Sequence, residues 1–573
     1  MKKGFALAQA IEECEKQLAS AVKKLYGIAS LPAKVEVSKQ FGDLSFPCFP
    51  LASQAKKNPN EIAEKITQYL NAFYGLGGKQ YAEKVEAVGG YVNFFLNDGY
   101  HAQSVEEALD KDFGGGEEGK GKKAVVEFSS PNMGKPMHVG HIRSTILGDA
   151  IALGLRKRGY KVIRSNYLCE AGTQVAKLLL GLKKYKVGAI KDEKQLLDYY
   201  IKINAEIDKD EKLEKQVHAI LEKMEDGDAA TLKQLKTIRK ITLKPFKENY
   251  AKLGVRFEEE IFDSDFVNEG KKLALEAKEK GIARIEKDGE LVAFLEEYGI
   301  PNLVILRSNG TTLYSTRDLS LADSRFRIYN PAISVIVTGS DQLMHFKQVY
   351  KMLELMGRDY TNRFKHVGFG LIYLEGGKLS SRKGNVFFLE DLLDDAIESA
   401  SAQIRGRETM GKKEIKGIAQ TIGVGSIKFG FLRVSNAKNI TFNPEKAVSF
   451  EGDTGAYVQY NAVRAKNILR KAGGNTKASV PKNTQFNDAE RKVSFMLSLY
   501  PDVARRVSEN FEPHALCDYL LKLSAAFSEF YEKCPVVQSE GAERQKRLAI
   551  VAATLNAIES GLSLLGITVP KKM

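Results

Sequence analysis

Residues 124–168 restrict the fold more than any other part of the chain. AVVEFSS (124–130) is a short β-branched run suited to a buried strand. A glycine-containing loop follows, and IRSTILGDAIALGLRKRGY (142–160) then puts Ile142, Ile146, Ala150 and Leu153 at helical spacing before YKVIRSNYL returns to strand character. Strand, loop, helix, strand is a βαβ unit. Such units build parallel sheets, with ligands held beyond the carboxyl ends of the strands.

The rest of the chain arranges itself around that unit. Its 573 residues are too many for one ordinary core. The first hundred or so alternate helical patterns, such as NPNEIAEKITQYL (58–70), with extended ones, such as VEAVGGYVNFFL (85–96). KDFGGGEEGKGKK (111–123) is glycine among charges, with only Phe113 apolar, and reads as a linker without a core. Residues 170 to about 260 are charged and helical, an insertion that splits the sheet. Strand-like runs resume at NLVILRS (302–308), SVIVTGS (334–340) and KHVGFGLIYL (365–374), and from about 396 the pattern is helical almost to the end.

The expected fold class is therefore α/β: a Rossmann-type parallel-sheet domain with helical insertions, an N-terminal α+β domain and a C-terminal all-α bundle. The expected segments are 1–112, a linker 113–123, the sheet domain 124–395 with its insertion at about 170–260, a helical connection 396–449 and a helical domain 450–573.

Composition narrows the functional class. Eighty-six Lys and Arg against 72 Asp and Glu give a net charge of +14, which favours a polyanionic partner, nucleic acid first. No run of about 18 apolar residues is present for a membrane span, and MKKGFALAQAIEECEK reads as an amphipathic helix rather than a signal peptide. A cytoplasmic protein without membrane attachment is expected. The five cysteines (Cys14, Cys48, Cys169, Cys517, Cys534) include no CxxC pair, so neither a zinc site nor a disulfide framework is expected.

The loop of the βαβ unit, SSPNMGKPMHVGHIRS (129–144), carries two of the seven histidines. His138 and His141 are three apart, whereas helical zinc sites use a spacing of four and a third ligand, which is not evident nearby. At a strand-to-helix turn the helix N-terminus attracts phosphate. Gly140 would let a flat group such as adenine approach the backbone, and two imidazole N–H donors could reach phosphate oxygens whose charge builds during displacement. That combination points to a nucleotide whose phosphates react.

HVGH in this setting resembles the His-Ile-Gly-His signature of class I aminoacyl-tRNA synthetases and related nucleotidylyl transferases, and GGKLSSRKGNV (376–386) resembles their Lys-Met-Ser-Lys-Ser loop. A basic loop flanked by glycines can close over a triphosphate, where Lys378 would neutralise the leaving pyrophosphate. Ser381 stands where the signature's second lysine usually sits, and Arg382, Lys383 or Lys135 would supply the missing charge.

The longer strings VEFSSPNMGKPMHVGHIRSTILGDA, SNGTTLYSTRDLSLA, GSDQLMHFKQV, FEGDTGAYVQYNAVRA and SGLSLLGITVPKKM are similar to arginyl-tRNA synthetases, and FGDLSFPCFPLASQAKKNPNEIAEKI to that family's added N-terminal domain. The resemblance covers nearly the whole chain. It implies activation of L-arginine by ATP, with accompanying Mg²⁺, and transfer to tRNA-Arg by a monomer. By resemblance Asp318 pairs with the guanidinium and Tyr314 shapes the pocket, while Glu127, Asn132 and Gln342 hold the substrate's ammonium, carboxylate or side chain. Asp265 falls where the family usually has a glutamate. Gly339 and Asp341 would meet the ribose of ATP, His366 and Val367 the adenine, and Ser380 with Lys378 the phosphates, together with His138, Gly140 and His141. Tyr457, Tyr460, Arg464, Tyr531 and Met573 match positions near the anticodon loop.

Overall fold

A computed structural model of the chain describes residues 5–38, 40–75, 80–374, 377–378, 387–404, 411–442, 452–473 and 478–573. The chain divides into two compact units. The first comprises residues 1–114, 458–503 and 519–561, and the second 115–457, 504–518 and 562–573.

The second unit is organised by a five-stranded parallel sheet in the order Phe364–Phe369, Ile333–Gly339, Lys123–Glu127, Lys161–Leu168, Glu259–Phe262. Its central strand is covered on both faces, which is why Ala124, Val125 and Val126 form an unbroken apolar run rather than an alternating one. The expected helix spans Val139–Lys157 and crosses from that strand to its parallel neighbour. It packs tightly: a Cβ on Gly148 would lie 2.2 Å from Cβ of Phe128, so only glycine admits this approach of helix to strand end.

Three readings of the strands need correction. Leu303–Leu306 is not in the parallel sheet but pairs antiparallel with Leu291–Ala293 in a separate three-stranded sheet, because a local hairpin supplies its partner. The edge strand Glu259–Phe262 was hidden inside the charged insertion, since EEIF lacks the apolar run of a central strand. KHVGFGLIYL is two strands, Phe364–Phe369 and Ile372–Leu374, and the second pairs with Ile440–Phe442, a strand inside the stretch expected to be helical. The break falls at Gly370, where a Cβ would meet the backbone of Lys438 at 2.6 Å.

The insertion itself is helical as expected, with Thr173–Lys184, Glu193–Ile207, Glu211–Glu225 and Ala229–Leu253.

In the first unit a four-stranded antiparallel sheet packs on the helices Ala6–Tyr26 and Pro59–Gly75. VEAVGGYVNFFL is its hairpin, turned at Gly89 and Gly90 with φ of 56° and 79°. This unit brings residues 1–114 together with 458–503 and 519–561. Arg491 pairs with Glu83 and Asp98, and the Tyr100 hydroxyl meets that of Ser498 at 2.5 Å. Such pairings join residues some 400 positions apart, which local patterns do not record.

The linker also behaves differently from its composition. Phe113 is 2% exposed and its ring meets those of Phe5 and Tyr500, a burial worth roughly 2–3 kcal/mol. Gly116 N–H donates to the carbonyl of Lys157 and Gly119 N–H to that of Arg158, at 3.0 and 2.9 Å. A Cβ at Gly119 would strike the Tyr160 ring at 2.2 Å. These glycines serve close packing rather than flexibility.

Candidate active site

At the carboxyl end of the central strand, His138 is the N-cap of the helix Val139–Lys157. Gly140 N–H donates to His138 Nδ1 at 3.1 Å, and the His138 amide donates to His141 Nδ1 at 3.1 Å. The two imidazoles thus act as the reciprocal pair that Ser and Glu form in an ordinary capping box. Because each Nδ1 accepts, each ring carries its proton on Nε2. Burial, with Lys135 adding to it, lowers His138 to about 4. Burial also takes His141 well below the ordinary imidazole range, helped by His138 and Lys135. At neutral pH both rings are uncharged Nε2–H donors, with centroids 3.9 Å apart. The space a side chain at Gly140 would need is filled by the His138 ring, 2.7 Å from the added Cβ.

Described residues that flank the second signature string lie next to this cap. At the start of that string, Gly377–Lys378 pairs antiparallel with Tyr373 and Leu374. After it, Val139 N–H donates to the carbonyl of Phe387 at 3.1 Å and Leu389 N–H to that of Met137 at 3.0 Å. Ser380, Ser381, Arg382 and Lys383 lie outside the described residues. Arg143, one turn into the helix, donates to the carbonyls of Gly370, Lys438 and Ser435 at 2.6, 2.7 and 3.0 Å. Burial lowers this guanidinium to about 10, yet it ties together the segments that lead into the strands Ile372–Leu374 and Ile440–Phe442. The sequence reading missed Arg143, which looks like any helix-surface arginine.

The residues expected to contact arginine separate into four situations. Tyr314 and Asp318 lie on one face of the helix Tyr314–Tyr329, as their spacing of four requires. Tyr314 is 59% exposed, and Asp318 Oδ2 is 2.7 Å from His345 Nε2. Glu127 ends the central strand, where its buried carboxylate is paired with Arg325. Asn132 is half-buried and bridged to Cys169. Asp265 and Gln342 are exposed on short turns, Asp263–Phe266 and Ser340–Gln342.

Beside Asp265, the carboxylate drawn inward is Asp263. It accepts from the amides of Glu170 and Ala171 at 2.7 and 2.8 Å and faces Arg317 Nε at 3.1 Å. His345, Arg325 and Asp263 were all missed. A histidine three residues after Gln342 was the one signal available; the arginine in SRFRIY reads as a solvated face.

On the other side of the site, Gly339 ends its strand and a Cβ there would lie 2.3 Å from Asp341 Oδ1, with Asp341 itself exposed. Parallel register sets His366 and Val367 beside Ile336 and Val337. His366 Nε2 and Thr338 Oγ1 are 2.7 Å apart, the ring stacks on Phe346 at 5.1 Å, and burial lowers its pKa.

Among the C-terminal residues, Tyr460, Arg464 and Tyr531 come together. The Arg464 guanidinium lies 4.8 and 4.9 Å from the two ring centroids, and Tyr531 is 45% exposed. Tyr457 and Met573 belong to the other compact unit. Met573 packs there against a cluster that includes Ile404, Ile418 and Ala456.

Comparison with known proteins follows this geometry. Residues 104–443 match the family described as tRNA synthetases class I (R), catalytic domain. Residues 12–96 match the arginyl tRNA synthetase N terminal domain, and 458–573 the DALR anticodon binding domain. The arginine–tRNA ligase of Halothermothrix orenii is 36% identical over 560 residues, covering 96% of each chain. That of Clostridioides difficile is 35% identical over 575 residues, 98% of this chain and 99% of its own. The solved arginyl-tRNA synthetase of Thermus thermophilus superposes with a TM-score of 0.78 at 25% identity, over 98% of this chain and all of its own.

Proposed function

The chain belongs to the arginyl-tRNA synthetase family, class I enzymes that join arginine to tRNA using ATP, and from that premise we propose how its own residues divide the work. The arginine carboxylate attacks the α-phosphorus of ATP in line, forming a new O–P bond as the bond to the β-phosphate oxygen breaks and pyrophosphate leaves. A terminal ribose hydroxyl of tRNA-Arg then attacks the activated carbonyl and releases AMP. By the family's pattern, tRNA must be bound before the first step.

One observation carries the assignment of the first step: the reciprocal cap that leaves His138 and His141 as uncharged Nε2–H donors at a helix N-terminus. Uncharged donors stabilise the charge that develops on the transferring phosphate without holding the ground-state triphosphate too strongly. Lys378, Lys135, Ser380 and either Arg382 or Lys383 supply the remaining contacts to the phosphates. Magnesium accompanying ATP would add positive charge at the reacting phosphates.

Asp318 receives the guanidinium beside Tyr314, with Asn132 and Gln342 in the same pocket; Glu127, paired with Arg325, and Asp265, exposed on its turn, are assigned to it by family resemblance alone. Gly339 and Asp341 hold the ribose, His366 and Val367 the adenine. Tyr460, Arg464 and Tyr531 offer stacking and charge to unpaired anticodon bases, and Tyr457 and Met573 are assigned to tRNA by family resemblance alone. We infer a cytoplasmic monomer, which sedimentation at micromolar concentration would test for assembly.

The assignment is tested by pyrophosphate exchange into ATP with tRNA present and a panel of amino acids. Arginine alone is expected to support exchange. Exchange with lysine, glutamine or cysteine but not arginine would overturn it.

A further inference from the structure

We propose that His345 is a positioning residue of the arginine pocket, fixing the carboxylate of Asp318 and the ring of Tyr314 from the neighbouring helix. This rests on the reading of Asp318 as the guanidinium's partner.

Three features of the geometry converge. His345 is the third residue of the helix Leu343–Leu355, and its Nε2 lies 2.7 Å from Asp318 Oδ2. A carboxylate only accepts, so His345 carries its proton on Nε2 and donates it. The same ring meets Tyr314 edge-on at 4.7 Å and Phe346 at 5.0 Å, which leaves it little freedom to turn. A single side chain therefore touches both residues that the sequence set four apart on one face of the helix Tyr314–Tyr329.

The other nitrogen explains why this is more than packing. Nδ1 is buried and has no hydrogen-bond partner among the described residues, and the side chain as a whole is 10% exposed. A buried polar atom left unpaired costs stability that an apolar ring at the same place would avoid. An apolar ring, however, could not donate to Asp318.

The chemistry of the substrate favours an imidazole over a permanent cation. A lysine or arginine on Asp318 would compete with the guanidinium for both carboxylate oxygens. One N–H donor fixes Oδ2 and leaves Oδ1 to the substrate in a set direction. Aligning the acceptor in advance spares the pocket that ordering when arginine enters.

The test compares His345→Leu, His345→Gln and Asp318→Asn in the full chain by tRNA-dependent pyrophosphate exchange, with thermal melting of each variant. His345→Leu should raise the arginine KM about tenfold while kcat and the ATP KM change by less than about twofold, the loss of one hydrogen bond to a charged group. His345→Gln, whose amide can still donate, should recover most of that loss. Asp318→Asn should raise the arginine KM further, by about a hundredfold. An unchanged arginine KM in His345→Leu, with Asp318→Asn impaired, would overturn the proposal and leave the reading of Asp318 standing. An unchanged arginine KM in Asp318→Asn would sink that reading itself. An equal rise in the ATP KM, or no recovery with glutamine, would reduce His345 to a general structural role. If the leucine variant fails to fold, His345→Asn, polar but too short to reach Asp318, takes its place with the same expected rise.

Discussion

The amide of His138 donates to Nδ1 of His141 at 3.1 Å, so the second histidine of the signature closes the helix cap that the first one begins. Each ring spends one nitrogen on the backbone, which leaves Nε2 for the proposed phosphate contact. On the proposed mechanism, removing either side chain therefore removes a helix cap and a phosphate donor together.

His141→Ala should lower kcat for tRNA-dependent exchange by at least about a hundredfold, about 3 kcal/mol of transition-state stabilisation, with a far smaller change in the arginine KM. A fall of under threefold in kcat would contradict the assignment of the ring to the reacting phosphate. Loss of the cap adds about 1 kcal/mol of instability, visible as a modest drop in melting temperature.

Gly148→Val should destabilise the sheet unit by about 1–3 kcal/mol, because the added carbons collide with the base of the Phe128 side chain rather than with a movable tip. Thermal or denaturant unfolding checks this. An unchanged melting temperature would mean that the helix can shift off the strand without cost.

Arg143→Lys tests the tie between the helix Val139–Lys157 and the carbonyls of Gly370, Ser435 and Lys438. Lysine keeps the charge but cannot fork to three carbonyls at once. The expected result is a drop of about 2–3 kcal/mol in stability and a kcat for activation reduced about tenfold or more. A variant as stable and active as the parent would show that these segments stay in place without the guanidinium.

Acid stability should carry the mark of His101. This side chain is 1% exposed, its Nδ1 meets Ser494 Oγ at 2.8 Å, and burial, with Arg491 nearby, lowers it from 6.5 to about 3. The folded state then binds fewer protons than the unfolded chain between those values. Its contribution is complete above about 6.5 and fades as pH falls toward 3, reaching a few kcal/mol. Denaturant unfolding followed from pH 7 to pH 4 should be less pH-dependent in His101→Gln than in the parent; equal slopes would contradict it.

Arg464→Met should raise the KM for tRNA about tenfold and leave the arginine and ATP KM values unchanged, since it removes the cation held between Tyr460 and Tyr531. Aminoacylation at varied tRNA concentration is the measurement. A change confined to arginine or ATP would contradict a role in tRNA binding.

The βαβ unit, the two signature strings and the helical insertion were legible because each is local. A β-branched run, a helical period and a basic glycine-flanked loop all lie within a few tens of residues. The strand Leu303–Leu306 was legible as a strand but not as to its sheet, because pairing partners are chosen by neighbours and not by propensity. The glycine-rich stretch around Phe113 read as a linker for the same reason: the surfaces its glycines approach lie elsewhere in the chain.

Within the site, Tyr314 and Asp318 could be set on one face from spacing alone, and His138 and His141 at a helix start from the strand-to-helix turn. Which nitrogen each histidine keeps, that Arg325 takes Glu127, that Asp263 turns inward where Asp265 turns out, and that His345 reaches Asp318 were decided only by the tertiary structure. Periodicity and short motifs are properties of neighbouring residues and survive in the sequence. Hydrogen-bond partners and burial depend on which distant elements meet, and a side chain acquires its proton state and its direction only when they do.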